Sequence, residues 1–322
     1  MTLTIEENSI ADKSWNKRLL LAQGTIFQTT EYLSFVEEAF NWKPKFIKFL
    51  DSKGEIIAQI ALAIKPRFPQ SSLKSILSKV PGSKSVVYKW VYGPVIFHNE
   101  YSNKICAEFY NYLRKKKCRI NGSEFPLDVS SLSCFKQPFK MVRWATLMID
   151  LSLNLNEIWN LIDKNAGRKN IKRSQERGVI IKVITEKNLS YYHDILQKTK
   201  SDENQDVEYS TVQILWEKLH SIGLNGFLAF YDNKPIGGIV ISTFNNFINE
   251  WGVARSQIDR KNNLYSQDLL KWEIIKWGIE NKKKYYDLSG VNPHPKNDKE
   301  KGILRYKKKW GGKLYEYNRL IS

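Results

Sequence analysis

The sequence predicts an α/β (α+β) protein of two tandem domains, each a mixed, mostly antiparallel sheet flanked by helices. Three observations lead there. The chain has 322 residues, more than one core usually serves, so two domains of about 150 residues each are expected. Its 42% hydrophobic and 13% aromatic content is ample for packed cores and argues against disorder. One order of elements (helix, hairpin, helix, strand) also runs through residues 1–145 and again through 146–322.

In the first half, residues 28–40 read as a helix, with Thr29 and Thr30 as candidate caps and Phe35, Val36 and Ala39 on one face. Strand-like runs at 46–50 and 55–64 flank the turn Asp51-Ser52-Lys53-Gly54 and so form a hairpin. Residues 70–84, rich in serine and lysine, read as a polar loop, and a strand over 86–92 stops at Gly93-Pro94. Residues 103–117 form a helix with Ile105, Phe109, Tyr112 and Leu113 on its apolar face, and the breakers Pro126 and Pro138 make 121–139 irregular.

The pattern restarts near residues 140–146. A strand over 145–151, a helix over 156–163 and a basic helix over 165–177, ended by Gly178, lead to a strand over 179–184. Helices follow over 189–200 and 210–221. Strands at 226–231 and 236–244 flank Asp232-Asn233-Lys234-Pro235 as a second hairpin, and 247–253 adds a strand. A helix over 266–281 and a strand over 284–288 complete the repeat.

Charge narrows the function classes. Fifty-one Lys and Arg against 33 Asp and Glu leave +18, an excess that points to a polyanionic partner: nucleic acid, an anionic membrane or a phosphorylated substrate. Cys106, Cys118 and Cys134 form no C-x-x-C pair, which suits a reducing compartment. His98, His193, His220 and His294 show no zinc spacing, so no metal is expected. Glu6, Glu7 and Asp12 interrupt the N-terminus, and the most apolar windows are strand length, so the expected location is cytoplasmic.

The excess charge is clustered. Residues 164–182 hold seven basic residues against Glu176 alone, with Arg168 and Lys172 on one helix face and Lys169 and Arg173 on another. Like charges at that spacing weaken a helix by a few tenths of a kcal/mol each, which favours a bound anion over bare solvent. Residues 296–322 carry nine basic and three acidic residues. There Lys307 stands between Tyr306 and Trp310, ahead of Gly311-Gly312. If 306–309 continues as a strand, Lys307 and Lys309 face one way, and Tyr306 and Lys308 the other. A lysine on an aromatic frame is a fixed positive charge, able to hold a polyanion or to steady the oxyanion of an acyl transfer.

Taken in order, Phe27–Tyr32, Tyr92-Gly93-Pro94-Val95, residues 147–151 with 168–178, residues 232–238 and 269–278, Tyr286-Asp287-Leu288-Ser289-Gly290, and residues 302–312 resemble the Fem peptidyltransferases, which build peptidoglycan cross-bridges. The resemblance covers nearly the whole chain. It implies two domains of the GCN5-related N-acetyltransferase type, with the last strand folding back towards the first domain. It also implies transfer of an aminoacyl group from a charged tRNA to an amine of a peptidoglycan precursor or similar acceptor. On that basis Lys307 and Asp287 are the expected catalytic residues, the lysine stabilising the oxyanion or the leaving ribose oxygen and the aspartate orienting the acceptor amine. Trp251, Tyr306 and Gln28 would bind the acceptor. Arg168, Lys169, Lys172, Arg173, Lys308 and Lys309 would bind tRNA. No cofactor beyond the aminoacyl-tRNA donor is implied; the partners are tRNA, the precursor and a peripheral contact with an anionic membrane, and the expected state is a monomer.

Relatives that use a UDP-linked muropeptide place a basic residue in the helix after their Gln-x-x-x-Trp motif, whereas residues 32–38 here contain none. Their arginine in the second domain is replaced within residues 203–208. An acyl-CoA-dependent N-acyltransferase using acetyl-CoA is the alternative enzyme, but the segment 254–261, where such a fold puts its glycine-rich pyrophosphate loop, has no glycine. A non-catalytic tRNA-binding protein is the alternative outside enzymes.

Overall fold

The computed structural model describes residues 3–22, 24–66, 86–116, 118–127, 140–201 and 205–322. They form two compact units, Met1–Ala145 with Glu316–Ser322, and Thr146–Tyr315. The polar loop expected over 70–84, most of the irregular stretch before residue 140, and Cys134 lie outside the described residues.

The first unit contains β1 (Thr4–Asn8), α1 (Trp15–Leu21), α2 (Thr30–Phe40), β2 (Lys43–Leu50), β3 (Ile56–Pro66), β4 (Val86–Lys89), β5 (Val95–Ile96), α3 (Ser102–Lys115) and β6 (Arg119–Ser123). The chain continues with β7 (Lys140–Asp150), α4 (Leu155–Leu161), a π-helical turn (Lys164–Arg168), α5 (Lys169–Glu176), β8 (Ile180–Val183), α6 (Leu189–Ser201) and α7 (Tyr209–Leu219). Then come β9 (Leu224–Tyr231), β10 (Lys234–Ser242), β11 (Phe247–Arg255), α8 (Gln257–Lys261), α9 (Ser266–Glu280), β12 (Tyr285–Val291), α10 (Asp298–Lys308) and β13 (Lys313–Ile321).

Sheet order in the first unit is β1-β2-β3-β4-β6-β13, with β5 paired to β3. Among the described residues the ladders there are antiparallel except β4 with β6. Alternation turns Phe49, Ile60, Leu62 and Trp90 to one side, where they pack with Ile105, Phe109 and Leu113 of α3. Thr29 caps α2 by accepting from Tyr32 N, and Asn41 ends it in the left-handed conformation. The structure adds β1 and α1, which the pattern does not assign, and carries β6 to Ser123, inside the stretch 121–139 that the prolines predict to be irregular. These are short elements without a full period, so pattern alone cannot separate them from loops.

Sheet order in the second unit is β7-β12-β11-β10-β9-β8. The β9–β10 hairpin closes on Asp232 and Asn233, both at positive φ (48° and 58°), as a two-residue turn requires. The helix α9 is buried on almost every side, by Leu269, Leu270, Trp272, Ile274 and Ile275 but also by Asp268 and Lys271. It is the central helix of this unit.

One expectation is corrected outright. Residues 306–309 are not a strand: they end α10, whose N-cap Asn297 accepts from Glu300 N at 2.9 Å. A capping asparagine followed by a run of good helix formers decides the conformation, and period 2 gives way to 3.6.

Candidate functional site

The local feature that opens the second unit is the parting of two strands. The parallel ladder of β11 and β12 covers only Phe247↔Tyr285 to Asn249↔Asp287, although β11 runs on to Arg255 and β12 to Val291. Just past the split, the β10–β11 register slips between Val240 and Ile241, which pair with Gly252 and Glu250. Trp251 is therefore the extra residue of a bulge, the kind of irregularity that ends pairing and re-aims side chains. Beyond it, the carbonyls of β12 no longer meet β11.

Lys307 fills that role. Its Nζ donates to the carbonyl oxygens of Ser289 (2.9 Å) and Gly290 (3.1 Å). An ammonium has three donors; among the described residues the third has no protein acceptor. Burial pushes the Lys307 pKa below the usual lysine value; Glu250 and Asp287 push it up, and Lys271 pushes it down.

Asp287 sits at the last paired position and is 1% exposed. Its carboxylate accepts from Thr146 Oγ1, from Asn249 Nδ2 (3.1 Å) and from Ser289 N (2.7 Å). It is a buried anchor that ties β12 to β7, β11 and its own turn. Ser289, at φ 67°, lies in the left-handed region and donates its hydroxyl to Glu250 O at 2.6 Å.

A second, charged layer lies beneath. The Glu250 carboxylate receives Lys271 Nζ and, at 2.9 Å, Tyr286 Oη. Lys309 is paired with Asp268, which also accepts from Asn170 Nδ2 at 3.0 Å. The Lys309 ammonium lies 4.2 Å from the centre of the Tyr306 ring and Lys271 5.7 Å, within cation–π reach. Burial and the charges of Asp268 and Glu250 raise the Tyr306 pKa well above the phenol range.

Helix geometry separates residues that a strand would have grouped. Two positions apart on α10, Lys307 and Lys309 point about 200° away from each other. Lys309, Tyr306, Lys308 and Arg305 line a cavity of about 850 Å³ together with Asp163, Asn170 and Lys301, while Lys307 faces the strand opening. Lys169 and Lys172 are exposed on α5; Arg168 in the π-turn and Arg173 are half-buried, and Arg168 reaches Asn160 at 3.4 Å. Gln28, in the first unit, is wholly buried: its amide donates to Val91 O (2.9 Å) and accepts from Ala61 N (2.7 Å). The structure thus brings Lys307, Asp287 and the Trp251 bulge to one strand opening and places Tyr306 on the cavity side with Lys309. Glu250 and Lys271 at the opening, and Asp268 beside Lys309, are not singled out by the sequence. Asp268 and Lys271 stand on either side of Leu269 and Leu270 in a helix that also carries Glu273, Lys276 and Glu280, so neither stands out by composition, and Glu250 carries no signal of its own.

No family model and no curated protein matches the sequence. Among solved structures the chain is similar to FemX, at 14% identity over 97% of this chain and 96% of that one, with a TM-score of 0.72. It is similar to L-PGS from Bacillus licheniformis at 11% identity (96% and 91% covered, TM-score 0.58). It is also similar to a tandem GNAT protein of the clavulanic acid biosynthesis pathway at 8% identity (99% and 97% covered, TM-score 0.54). The fold is a tandem GCN5-related N-acetyltransferase fold. At these identities the likeness is one of fold alone, so function is argued from the site. Among the described residues no group of three or more His, Cys, Asp or Glu could hold a metal, and no helix is long and apolar enough to cross a membrane.

Acyl-CoA is the donor that the acetyltransferase fold implies, and the residues present do not fit its pyrophosphate. The segment after β11 folds into α8, and Asp259, wholly buried, accepts from Ser266 N (2.8 Å) at the start of α9. Asp268 occupies the first turn of the same helix. Two carboxylates already stand where a helix N-terminus would receive an anion.

Proposed function

We propose that the protein is an aminoacyltransferase that moves an amino acid from aminoacyl-tRNA to an amine of a peptidoglycan precursor or a similar acceptor. The observation that carries this reading is Lys307, a half-buried ammonium pinned by two backbone carbonyls at the strand opening, with a donor to spare. In transfer, the acceptor amine attacks the aminoacyl ester carbonyl, negative charge develops on the carbonyl oxygen, and the tRNA ribose oxygen leaves. A pre-placed cation stabilises that charge without reorganising at the moment of reaction. The basic cavity on the far side of α10 and the exposed lysines of α5 supply phosphate contacts for the tRNA end. Asp287 acts by anchoring β12, and Trp251 supplies an aromatic wall at the bulge.

The FemX-like fold over the whole chain supports this reading, and so does the +18 charge. The acidic start of α9 disfavours acyl-CoA. The test is binding of aminoacylated and uncharged bulk tRNA across a salt series, with acetyl-CoA in parallel. Salt-steep binding that prefers charged tRNA is the expected result, and sequencing the bound pool names the amino acid. Binding of acetyl-CoA without tRNA overturns the proposal.

A further inference from the structure

Lysines are seldom buried without a carboxylate in direct contact, yet both atoms that hold the Lys307 ammonium are neutral carbonyl oxygens. The compensating charge lies one layer away. Glu250, on β11 where that strand has left β12, touches each element around Lys307. Its backbone oxygen takes the Ser289 hydroxyl, and its carboxylate takes Tyr286 on β12 and Lys271 on α9. The Ser289 carbonyl is in turn one of the two that hold Lys307.

We propose that Glu250 is the positioning residue of the site: its carboxylate, fixed by Lys271 and Tyr286, keeps Lys307 charged, and its backbone oxygen holds the Ser289 turn that keeps Lys307 in place. The proposal rests on the reading of Lys307 as the transfer residue. Two effects run through this residue, one from its backbone oxygen and one from its carboxylate. Mechanically, Ser289 sits at positive φ, a costly conformation for a residue with a side chain, and its hydroxyl bond to Glu250 helps fix the turn whose carbonyls grip the ammonium. Electrostatically, the charged groups facing Lys307 are Glu250 from β11, Asp287 from β12 and Lys271 from α9. Tyr286 and, from α6, Tyr192 face Glu250 as neutral phenols held protonated by burial and by its charge. On α10 itself, Lys309 is neutralised by Asp268 and Tyr306 is neutral. Glu250 is thus shared between two ammonium groups, and its loss leaves Lys271 and Lys307 facing one another with Asp287 alone opposed.

The experiment reads Lys307 directly, without substrate. The full chain is labelled with ¹³Cε-lysine, the Lys307 resonance is assigned by its disappearance in Lys307→Arg, and its midpoint is titrated by NMR. In Glu250→Gln the midpoint moves down, and each pH unit of fall raises the uncharged fraction about tenfold. In Lys271→Gln it moves up, because the carboxylate then serves Lys307 alone. Opposite shifts in the two variants are the expected result, and either variant alone tests the sign if the other fails to fold. A midpoint unmoved in a folded variant, or moved the opposite way, overturns the proposal. Opposed shifts in an enzyme whose Lys307→Ala variant transfers normally would keep the charge relay and remove the catalytic reading, so the two failures are distinct.

Discussion

Replacing Lys307 by alanine separates a catalytic role from a structural one, because the structure assigns a magnitude to each. Removing one pre-placed donor from a developing oxyanion costs on the order of 10²–10³ in rate, about 3–4 kcal/mol of barrier. The same change leaves the Ser289 and Gly290 carbonyls, bonded to Nζ at 2.9 and 3.1 Å, without their partner. Orphaned polar groups cost about 1–3 kcal/mol where water cannot replace the bond. For a unit of 150–250 residues each kcal/mol lowers Tm by about 2–4 °C, so the variant melts measurably lower yet stays folded at 20 °C. The assay is single-turnover transfer from aminoacyl-tRNA at that temperature, with circular dichroism melting on the same samples. Lys187→Ala is the control, since Lys187 is exposed and lines neither the strand opening nor the cavity beside α10. Folded Lys307→Ala that retains turnover within about threefold of wild type, or Lys187→Ala that loses as much, refutes the reasoning.

Two further outcomes follow from charge. Arg168→Ala with Lys172→Ala weakens tRNA binding and lowers its salt slope by up to about two phosphate contacts; an unchanged slope returns that segment to plain solvation. In the first unit, burial raises the Glu7 pKa, but bonds from Lys116, Lys45 and Tyr112 outweigh it and hold the carboxyl at about 2, against 4.5 unperturbed. A depressed carboxyl stabilises the fold above its unfolded pKa, and that stability is lost as pH falls from about 4.5 towards 2. Glu7→Gln therefore lowers stability at neutral pH and flattens the acid limb of the melting curve, and an acid limb identical to wild type contradicts it.

The helices α2, α3, α6, α7 and α9 and both hairpins were legible from sequence because each carries several turns or alternations of apolar residues. The last turn of α10 resembles a strand in sequence, because Tyr306-Lys307-Lys308-Lys309 is too short to fix a period and the deciding cap, Asn297, lies nine residues upstream. That one difference changed the site, since a helix sends Lys307 to the β12 carbonyls and Lys309 to Asp268. Glu250 and Lys271 went unread as a pair because they are twenty-one residues apart and meet only where β11 packs on α9.

The sequence by itself determined the two repeated units, the strong positive charge and a lysine set among aromatic residues, all properties that neighbouring residues or sums of residues carry. Only the tertiary structure decided that β11 and β12 part after Asn249 and Asp287, that Asp287 is an anchor buried at that point, and that two acidic side chains occupy the start of α9. Those are relations between distant segments, and a buried charge is placed by the partner that packing brings to it.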